Sequence, residues 1–435
     1  MKKLFIPLII LFTVSCSEHK TALTLDVNDL QHTCVKRLTD IVVYDIFNPP
    51  VASRIYAYCN LAYYETVRWK DSSSASIASQ LKGFETMPSP DRSKKYDHSL
   101  AAVKAFFKVA NKLTFSHDSL RITEEKLLGA FKASLDDEVY ENSIAFGDTV
   151  AATILKRAAS DNYKITRGMA RYSVFREKGK WVQTPPDYAD GVEPNWKLIK
   201  PLLMDSASQF KPAVPPAYDL NKSSEYFKQV MEVYTTSKSI TEEMDTIAHY
   251  WDDNPFVTEH RGHLTFATKK TTPVGHWMGI IAILCRQEKK NEQENARTYA
   301  LASASIFDAF ISCWDEKYRS QTLRPITVIR EQVEENWNPL LQTPPFPEYT
   351  SGHSVISSAV ATVLEYLFGK DVSFHDTTEL EYLGLERNFS SIQAAADEAG
   401  ISRLYGGIHF KAAIEEGKKQ GHAVGEMYGQ HFKTN

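Results

Sequence analysis

The chain has 435 residues, of which 24% are charged, and its formal net charge is −4. That length allows one or two domains with large cores, and the charge balance gives no basic excess that would favour nucleic acid as a partner. No run of like charges forms a tail.

Residues 1–16 are typical of an export signal. Two lysines are followed by the apolar stretch 4–14, which is too short to span a bilayer. Ser15 then precedes Cys16, which resembles the lipidation site of a bacterial lipoprotein, and 17–30 would be a tether. We therefore expect an exported protein, periplasmic or held on the outer membrane by a lipid on Cys16. An ordinary secretory signal with an incidental cysteine is the alternative.

Apolar residues recur at three- and four-residue steps through most of the remaining chain. This periodicity predicts helices over 33–68, 97–113, 123–135, 138–160, 223–237, 240–251, 275–289, 294–318, 353–368, 378–399 and 409–430. Strand-like alternation is scarce. The prediction is therefore an all-α protein that consists of one or two helical bundles.

Two proline-rich segments, 161–222 and 336–352, interrupt this pattern. The first carries seven prolines and several aromatic residues. We predict a long irregular excursion that is folded, because its aromatic side chains need burial. It ends an N-terminal helical region, 31–222, and a C-terminal helical region, 223–435, follows it.

The first segment that suggests chemistry holds two cations seven residues apart, Lys317 and Arg324. If the helix continues through both, their side chains point the same way. Pro325 either ends that helix or begins the next element. An ammonium and a planar guanidinium on one face suit an oxyanion, although a solvated surface is the alternative.

The second segment is Ser351-Gly352-His353, between a proline-rich loop and an apolar helix. Ser351 is a good helix cap, and the free N–H groups of a helix start attract anions, with Gly352 allowing close approach. His353 would stand beside such an anion, where acid–base work needs it. A plain capped helix with an exposed histidine is the alternative.

The third segment runs from Arg403 to His409. The glycine pair Gly406 and Gly407 lies between them and can turn the chain so that both side chains point at one place. A core histidine with a surface arginine is the alternative for this segment taken alone.

In this order, the three segments resemble the superfamily of vanadium haloperoxidases and type 2 phosphatidic acid phosphatases (PAP2). The intervals fit as well, since 26 residues lie between Arg324 and Ser351 and 49 between His353 and Arg403. The resemblance covers 317–409 directly. The long helical N-terminal part and the export signal are more similar to bacterial haloperoxidases than to small phosphatases.

The resemblance implies an all-α fold of this type and a pocket for one vanadate or phosphate ion. Three cations, one serine and one glycine would hold the ion's oxygens: Lys317, Arg324, Arg403, Ser351 and Gly352. His353 would be the acid–base residue. His409 would bond the central atom, either as the ligand of vanadium or as the nucleophile that becomes phosphohistidine.

Two positions depart from the family's pattern. Thr350 stands where the family commonly has proline, which we expect to change loop stiffness more than chemistry. Ala413 stands four residues after His409, where the family commonly has aspartate. That change leaves the orientation of His409 without its usual carboxylate, and Glu415 and Glu416 are the candidates to replace it.

The resemblance also assigns three residues outside the motifs. Asp253, with Asp252 as the fallback, would pair with the acid–base histidine, and a solvated turn is the alternative. Trp314 and Phe346 would line a halide pocket. Core packing is the alternative for these two aromatic residues.

These residues leave three functions open. The first is a haloperoxidase that uses vanadate and hydrogen peroxide to oxidise halide to hypohalous acid. The second is an acid phosphatase that hydrolyses phosphomonoesters on the same site. The third is an exported binding lipoprotein without catalysis, with the aromatic segment 161–222 as its binding face. A homodimer is compatible with each of them.

Overall fold

The computed structural model describes residues 25–173, 177–255, 257–267 and 269–433. The predicted signal peptide, Cys16 and most of the tether 17–30 lie outside these residues. Over the described ranges, every helix is too short or too polar to cross a bilayer.

The described chain holds fifteen α-helices and four short strands, which confirms the predicted fold class. The helices are α1 (Leu30–Tyr44), α2 (Pro49–Val67), α3 (His98–Leu113), α4 (His117–Ser134), α5 (Asp137–Ala159), α6 (Tyr163–Arg167), α7 (Glu225–Lys238), α8 (Glu242–Tyr250), α9 (Pro273–Gln287), α10 (Glu292–Ser320), α11 (Pro325–Gln332), α12 (Gly352–Phe368), α13 (Leu380–Leu383), α14 (Ile392–Tyr405) and α15 (Lys411–Phe432). The strands form two antiparallel pairs, β1 (Thr258–Arg261) with β2 (Leu264–Ala267) and β3 (Phe374–Asp376) with β4 (Arg387–Phe389).

The long helix α10 is the centre of the core. It packs against α2 on the N-terminal side and against α12 and α15 on the C-terminal side. All 19 residues of α2 are buried, as expected for a helix that other helices surround. One apolar core therefore includes residues from both sides of position 222.

Two predicted helices are wrong in their extent. The segment 33–68 is broken before Pro49, where two prolines begin α2 and the Asn48 side chain accepts a hydrogen bond from the Val51 N–H at 3.0 Å. The segment 378–399 contains a short helix, strand β4 and then α14. Gly384, at φ +70°, ends the short helix, because a left-handed residue stops helical hydrogen bonding.

The contact between α12 and α15 depends on glycines spaced four residues apart. A Cβ atom built on Gly421 would overlap the backbone carbonyl oxygen of Val355, and one on Gly425 would lie 2.6 Å from that of Ala359. Glycines at this spacing share one helix face, so the two backbones approach directly. This contact fixes the start of α12, which carries Ser351-Gly352-His353.

In its described residues, 161–173 and 177–222, the segment 161–222 contains α6, a single 3₁₀ turn and otherwise irregular backbone. Its Trp181 and Trp196 side chains are completely buried, so they are core residues and do not form an exposed binding face. The backbone N–H groups of Leu202, Leu203 and Met204 donate to the buried Asp308 carboxylate at 2.7–3.0 Å. These bonds hold the irregular segment against α10.

Candidate anion-binding site

Lys317 and Arg324 do not lie on one continuous helix, so the condition under which their side chains would point the same way is not met, and Pro325 begins the next element. Helix α10 ends at Ser320, and Gln321 adopts a left-handed φ of +55°. Arg324 is the residue before α11, which begins at Pro325. Both cations are nevertheless fully buried and both donate to the same proline-rich loop, so the turn brings them together.

The ammonium group of Lys317 donates to three carbonyl oxygens of that loop. The acceptors are Pro347 at 3.0 Å, Glu348 at 3.0 Å and Thr350 at 2.5 Å. Burial lowers the pKa of Lys317 to about 7. Because all three N–H donors are used in this way, Lys317 would act on a bound anion through its charge.

Arg324 stands directly against His409. Its Nη1 donates to the Ile408 carbonyl at 2.8 Å and lies 3.0 Å from His409 Nε2, and its Nε donates to the Phe346 carbonyl at 2.9 Å. The remaining nitrogen, Nη2, is buried and has no hydrogen-bond partner among the described residues. Burial lowers the pKa of Arg324 to about 10.

The segment Ser351-Gly352-His353 begins α12 as predicted. The Ser351 hydroxyl accepts from the Ser354 N–H at 3.4 Å, and the Ser351 N–H donates to the Ala413 carbonyl at 3.0 Å. A Cβ atom on Gly352 would meet nothing closer than Trp314, at 3.9 Å. It would therefore make only an ordinary van der Waals contact with that ring.

Arg403 and His409 come together through the predicted turn. Arg403, near the end of α14, donates through Nη2 to the Trp251 carbonyl at 2.7 Å. Gly407, at φ +74°, reverses the chain, and His409 follows just before α15. Both side chains are buried, and burial lowers both of their pKa values.

A cavity of about 40 Å³ lies where these segments meet. Its wall contains Gly352, His353, Arg403, His409, Asp253, Trp314 and Phe346 together with seven other residues. At roughly 10–15 Å³ per water, this is space for about three waters, which suits one small oxyanion. The Lys317 ammonium and the Arg324 guanidinium carbon lie just behind the wall, each 5.0 Å from the centre of the Phe346 ring.

Trp314 and Phe346 are both core residues and cavity residues. Their ring centroids are 5.1 Å apart, and both side chains are at least 90% buried. The two interpretations of these aromatics are thus compatible in geometry, and the halide role stays a prediction.

His353 lies beside Asp253, and Asp252 is engaged elsewhere. The Asp253 Oδ2 atom lies 3.7 Å from His353 Nε2, whereas Asp252 accepts from Lys270 at 2.5 Å. Both aspartates are buried, so the alternative of a solvated turn is wrong. Burial, followed by the charge of Arg403, lowers the pKa of His353 to about 4 and keeps the ring neutral near pH 7.

A second histidine, His276, extends this pair into a buried network that the sequence did not predict. Its Nδ1 lies 3.1 Å from Asp253 and its Nε2 3.0 Å from Asp376. Burial opposes protonation, but the two carboxylates outweigh it and raise the His276 pKa well above the ordinary value. The same imidazolium outweighs burial at Asp253 and holds the pKa of that carboxyl below its usual range.

The network also has the spacing of a metal site, since ligand atoms of Asp253, His276 and Glu379 lie within 4.8 Å of one another. An imidazolium that donates from both nitrogens has no lone pair left for a metal. Trp251 also stacks on the His276 ring at a centroid distance of 4.5 Å, which suits a cationic ring. We therefore interpret the cluster as an ion-pair network.

The carboxylate beside His409 is Glu348, and neither predicted replacement reaches this ring. Glu348 Oε1 lies 2.8 Å from His409 Nδ1. Glu415 instead lies near Lys418, and Glu416 accepts from Lys419 and from the Ala213 N–H. Glu348 was visible in the sequence, three residues before Ser351, but spacing on a helix could not indicate a residue that reaches across from a loop.

Thr350 does more than alter loop stiffness. Its hydroxyl donates to Gln420 on α15 at 2.7 Å, and its carbonyl is the closest acceptor of the Lys317 ammonium. Gln420 in turn donates to Ser312 on α10 at 2.9 Å. Thr350 therefore ties the proline-rich loop to two core helices.

The residues present fit a bound oxyanion such as vanadate or phosphate. The site collects three buried cations, a guanidinium nitrogen without a partner in the described part of the chain, and a glycine in the cavity wall. The charged form of each cation is disfavoured by burial, so a bound anion would relieve a strain on all three. His409 and His353 lie in the wall of the same cavity.

Comparison with known proteins agrees with this geometry. A family model described as the VCPO second helical-bundle domain matches residues 297–435. The crystal structure of the first bacterial vanadium-dependent iodoperoxidase is 43% identical with a TM-score of 0.88, covering 93% of this chain and 97% of that one.

Two crystal structures of bacterial vanadium-dependent chloroperoxidase share the fold at lower identity. The apo-type structure is 15% identical with a TM-score of 0.67, covering 88% of this chain and 94% of that one. The holo-type structure is 16% identical with a TM-score of 0.64, covering 94% of this chain and 93% of that one. Among curated proteins, no match was found.

Proposed function

Because the chain belongs to the family of vanadium-dependent haloperoxidases, whose members are enzymes, we propose that it oxidises iodide with hydrogen peroxide and bound vanadate. The balanced reaction converts iodide, hydrogen peroxide and one proton into hypoiodous acid and water. One observation carries the proposal: Arg403 and two histidines line a cavity of about 40 Å³, and two more buried cations, Lys317 and Arg324, pack against Phe346 in its wall.

Binding of the cofactor would rest on the chain's own cations and dipoles. Arg324, Arg403 and Lys317 would neutralise the anion's charge, and the Gly352 N–H would donate at the start of α12. His409 Nε2 would be the ligand atom. Bound vanadate would supply a Lewis-acid centre that activates hydrogen peroxide for two-electron oxidation of a halide.

Proton transfer would fall to His353. Its neutral ring can accept a proton from incoming hydrogen peroxide, and Nε2–H of the resulting imidazolium would then face Asp253 Oδ2, now 3.7 Å away. Asp253 is itself fixed by His276, so it would stabilise the imidazolium without moving. The imidazolium would return the proton to the peroxide oxygen that leaves as water when iodide is oxidised.

Iodide is the proposed halide for two reasons. The structure that is 43% identical to this chain carries the name of an iodoperoxidase. Iodide is also large, polarisable and weakly hydrated, so it loses little hydration beside an apolar wall such as Trp314 and Phe346. These rings would also keep water away from the reacting atoms.

The test compares three activities of the purified protein with and without orthovanadate. We expect vanadate-dependent oxidation of iodide by hydrogen peroxide, with slower or no oxidation of bromide. His409→Ala should lower the rate of vanadate-dependent iodide oxidation about 100-fold or more. The matched control is His422→Ala, a half-exposed histidine on α15, which should retain full activity.

Hydrolysis of a phosphomonoester is the third activity, because a phosphatase would use the same cations with His409 as its nucleophile. Phosphomonoester hydrolysis that vanadate inhibits, without any vanadate-dependent halide oxidation, would replace the haloperoxidase proposal. Anion binding without either reaction would instead favour the non-catalytic binding protein.

We further propose that the protein is exported and carries a lipid on Cys16, on the basis of residues 1–16 alone. Metabolic labelling with a radioactive fatty acid tests this. The label should enter the wild-type protein and be absent from Cys16→Ser. The homodimer stays a prediction, and light scattering of the purified protein would decide it.

A further inference from the structure

The ring of His409 is held from both sides. On one side, its Nε2 lies 3.0 Å from the Nη1 of Arg324, and on the other its Nδ1 lies 2.8 Å from Glu348 Oε1. A guanidinium only donates hydrogen bonds, so Nε2 must present a lone pair to it. The ring proton therefore lies on Nδ1 and is donated to Glu348.

Glu348 is itself fixed by its surroundings. The oxygen that faces His409 also accepts the Phe410 N–H at 3.0 Å. The backbone N–H of Glu348 donates to the Thr322 carbonyl at 3.2 Å, and its carbonyl accepts from Lys317 at 3.0 Å. Only 2% of the residue is exposed. These contacts hold the carboxylate of Glu348 against the ring of His409.

Nothing on helix α15 can take this role. Position 413 is an alanine whose carbonyl accepts from Ser351, and Glu415 and Glu416 point to lysines of their own helix. In the described part of the chain, Glu348 is the carboxylate that reaches His409. It comes from the loop that also holds Lys317 and Arg324.

We propose that Glu348 is the positioning residue of His409: it fixes the proton on Nδ1 and so keeps the ring's lone pair on Nε2, where it now faces Arg324 and where vanadium would bind. This inference rests on the proposed function, because it assumes that vanadate is the ion bound at His409. It predicts that replacing Glu348 changes the affinity for an anion that bonds to His409 much more than the affinity for an anion that only contacts the cations.

The experiment compares the affinities of orthovanadate and inorganic phosphate for the wild type, Glu348→Ala and Glu348→Gln by calorimetry. Loss of a negative charge beside a cationic pocket would strengthen the binding of both anions alike. Loss of the orientation of the His409 ring would weaken the binding of vanadate alone. We expect the ratio of vanadate to phosphate affinity to fall about 10- to 100-fold in Glu348→Ala.

Glu348→Gln should give a smaller fall, roughly threefold or more, because the amide oxygen can still accept the Nδ1 proton but carries no charge. The matched control is Glu415→Gln, whose side chain is half-exposed on α15 and should leave the ratio unchanged. If Glu348→Ala does not fold by circular dichroism, Glu348→Gln decides the question.

A ratio that stays within twofold of wild type in a folded Glu348 variant overturns the inference, even if both affinities change. The titrations contain neither peroxide nor halide. A wild-type protein that fails to oxidise halide therefore refutes the proposed function without affecting the measured ratio, and the two failures can be told apart.

Discussion

Replacing Gly421 with alanine tests the packing that holds the site together. The added Cβ would overlap the Val355 carbonyl oxygen and lie 2.8 Å from its carbonyl carbon. Because these are backbone atoms, no side-chain rotation can relieve the overlap, and α12 and α15 must move apart. Overpacking of a core typically costs about 1–3 kcal/mol, and a backbone overlap belongs at or above the upper end.

Alanine also has an intrinsic advantage of about 0.5–1 kcal/mol over glycine inside a helix. A matched control measures that term alone. A Cβ atom on Gly129 of α4 would meet nothing within 4 Å, so Gly129→Ala should stabilise the protein by about this amount. Gly421→Ala should instead lose about 2 kcal/mol or more after the same gain is included.

The assay is urea unfolding of both variants, followed by vanadate titration of whichever stays folded. Movement of α12 displaces Ser351, Gly352 and His353 together, so the affinity of Gly421→Ala for vanadate should fall about tenfold or more. The affinity of Gly129→Ala for vanadate should not change. If Gly421→Ala were as stable as Gly129→Ala, the close approach of α12 and α15 described above would be wrong.

Three further predictions concern charged groups. Asp161→Ala removes the carboxylate that lies 2.7 Å from the buried guanidinium of Arg54, and it should lower the free energy of unfolding in urea by about 3–5 kcal/mol. The control Glu125→Ala breaks an exposed ion pair and should lower it by about 0.5 kcal/mol or less. Burial lowers the pKa of His32 from 6.5 to about 4, so its contribution to stability is complete above pH 6.5 and is lost as the pH falls towards 4. Between pH 7 and pH 4, the wild type should therefore lose about 3 kcal/mol more than His32→Gln, and equal losses would contradict this assignment. Arg324→Lys keeps the charge but loses the guanidinium that donates to both the Phe346 and the Ile408 carbonyls. The affinities for phosphate and for vanadate should therefore both fall about tenfold by calorimetry.

The sequence predicted what depends on local periodicity and on short motifs. The helices that carry the site were recognised, and Ser351 caps α12 as its residue type suggested. The break before Pro49 was missed because the apolar pattern continues across it, although two prolines mark it. The stop at Gly384 was missed for the same reason, since an apolar period does not register a left-handed residue.

Contacts between distant segments were not predictable in this way. His276 lies on α9 with no unusual neighbours in sequence, and only folding brings it between Asp253 and Asp376. We expected the carboxylate beside His409 on α15, at Glu415 or Glu416, because contacts between residues of one helix are the ones that sequence spacing indicates directly. Glu348 instead arrives from a loop 61 positions earlier.

The way in which the cations are held explains why this cavity should keep its affinity for an anion. Lys317 donates to three backbone carbonyls, Arg324 to two and Arg403 to two. A carbonyl dipole satisfies an N–H group and fixes its direction, but it leaves the positive charge uncancelled, whereas a carboxylate would cancel it. The carboxylates nearby are occupied with other partners, since Asp253 faces His276 and Glu348 faces His409. Positive charge therefore remains concentrated around one small cavity, and an oxyanion that enters can neutralise it without first displacing an acidic side chain from any of the three cations.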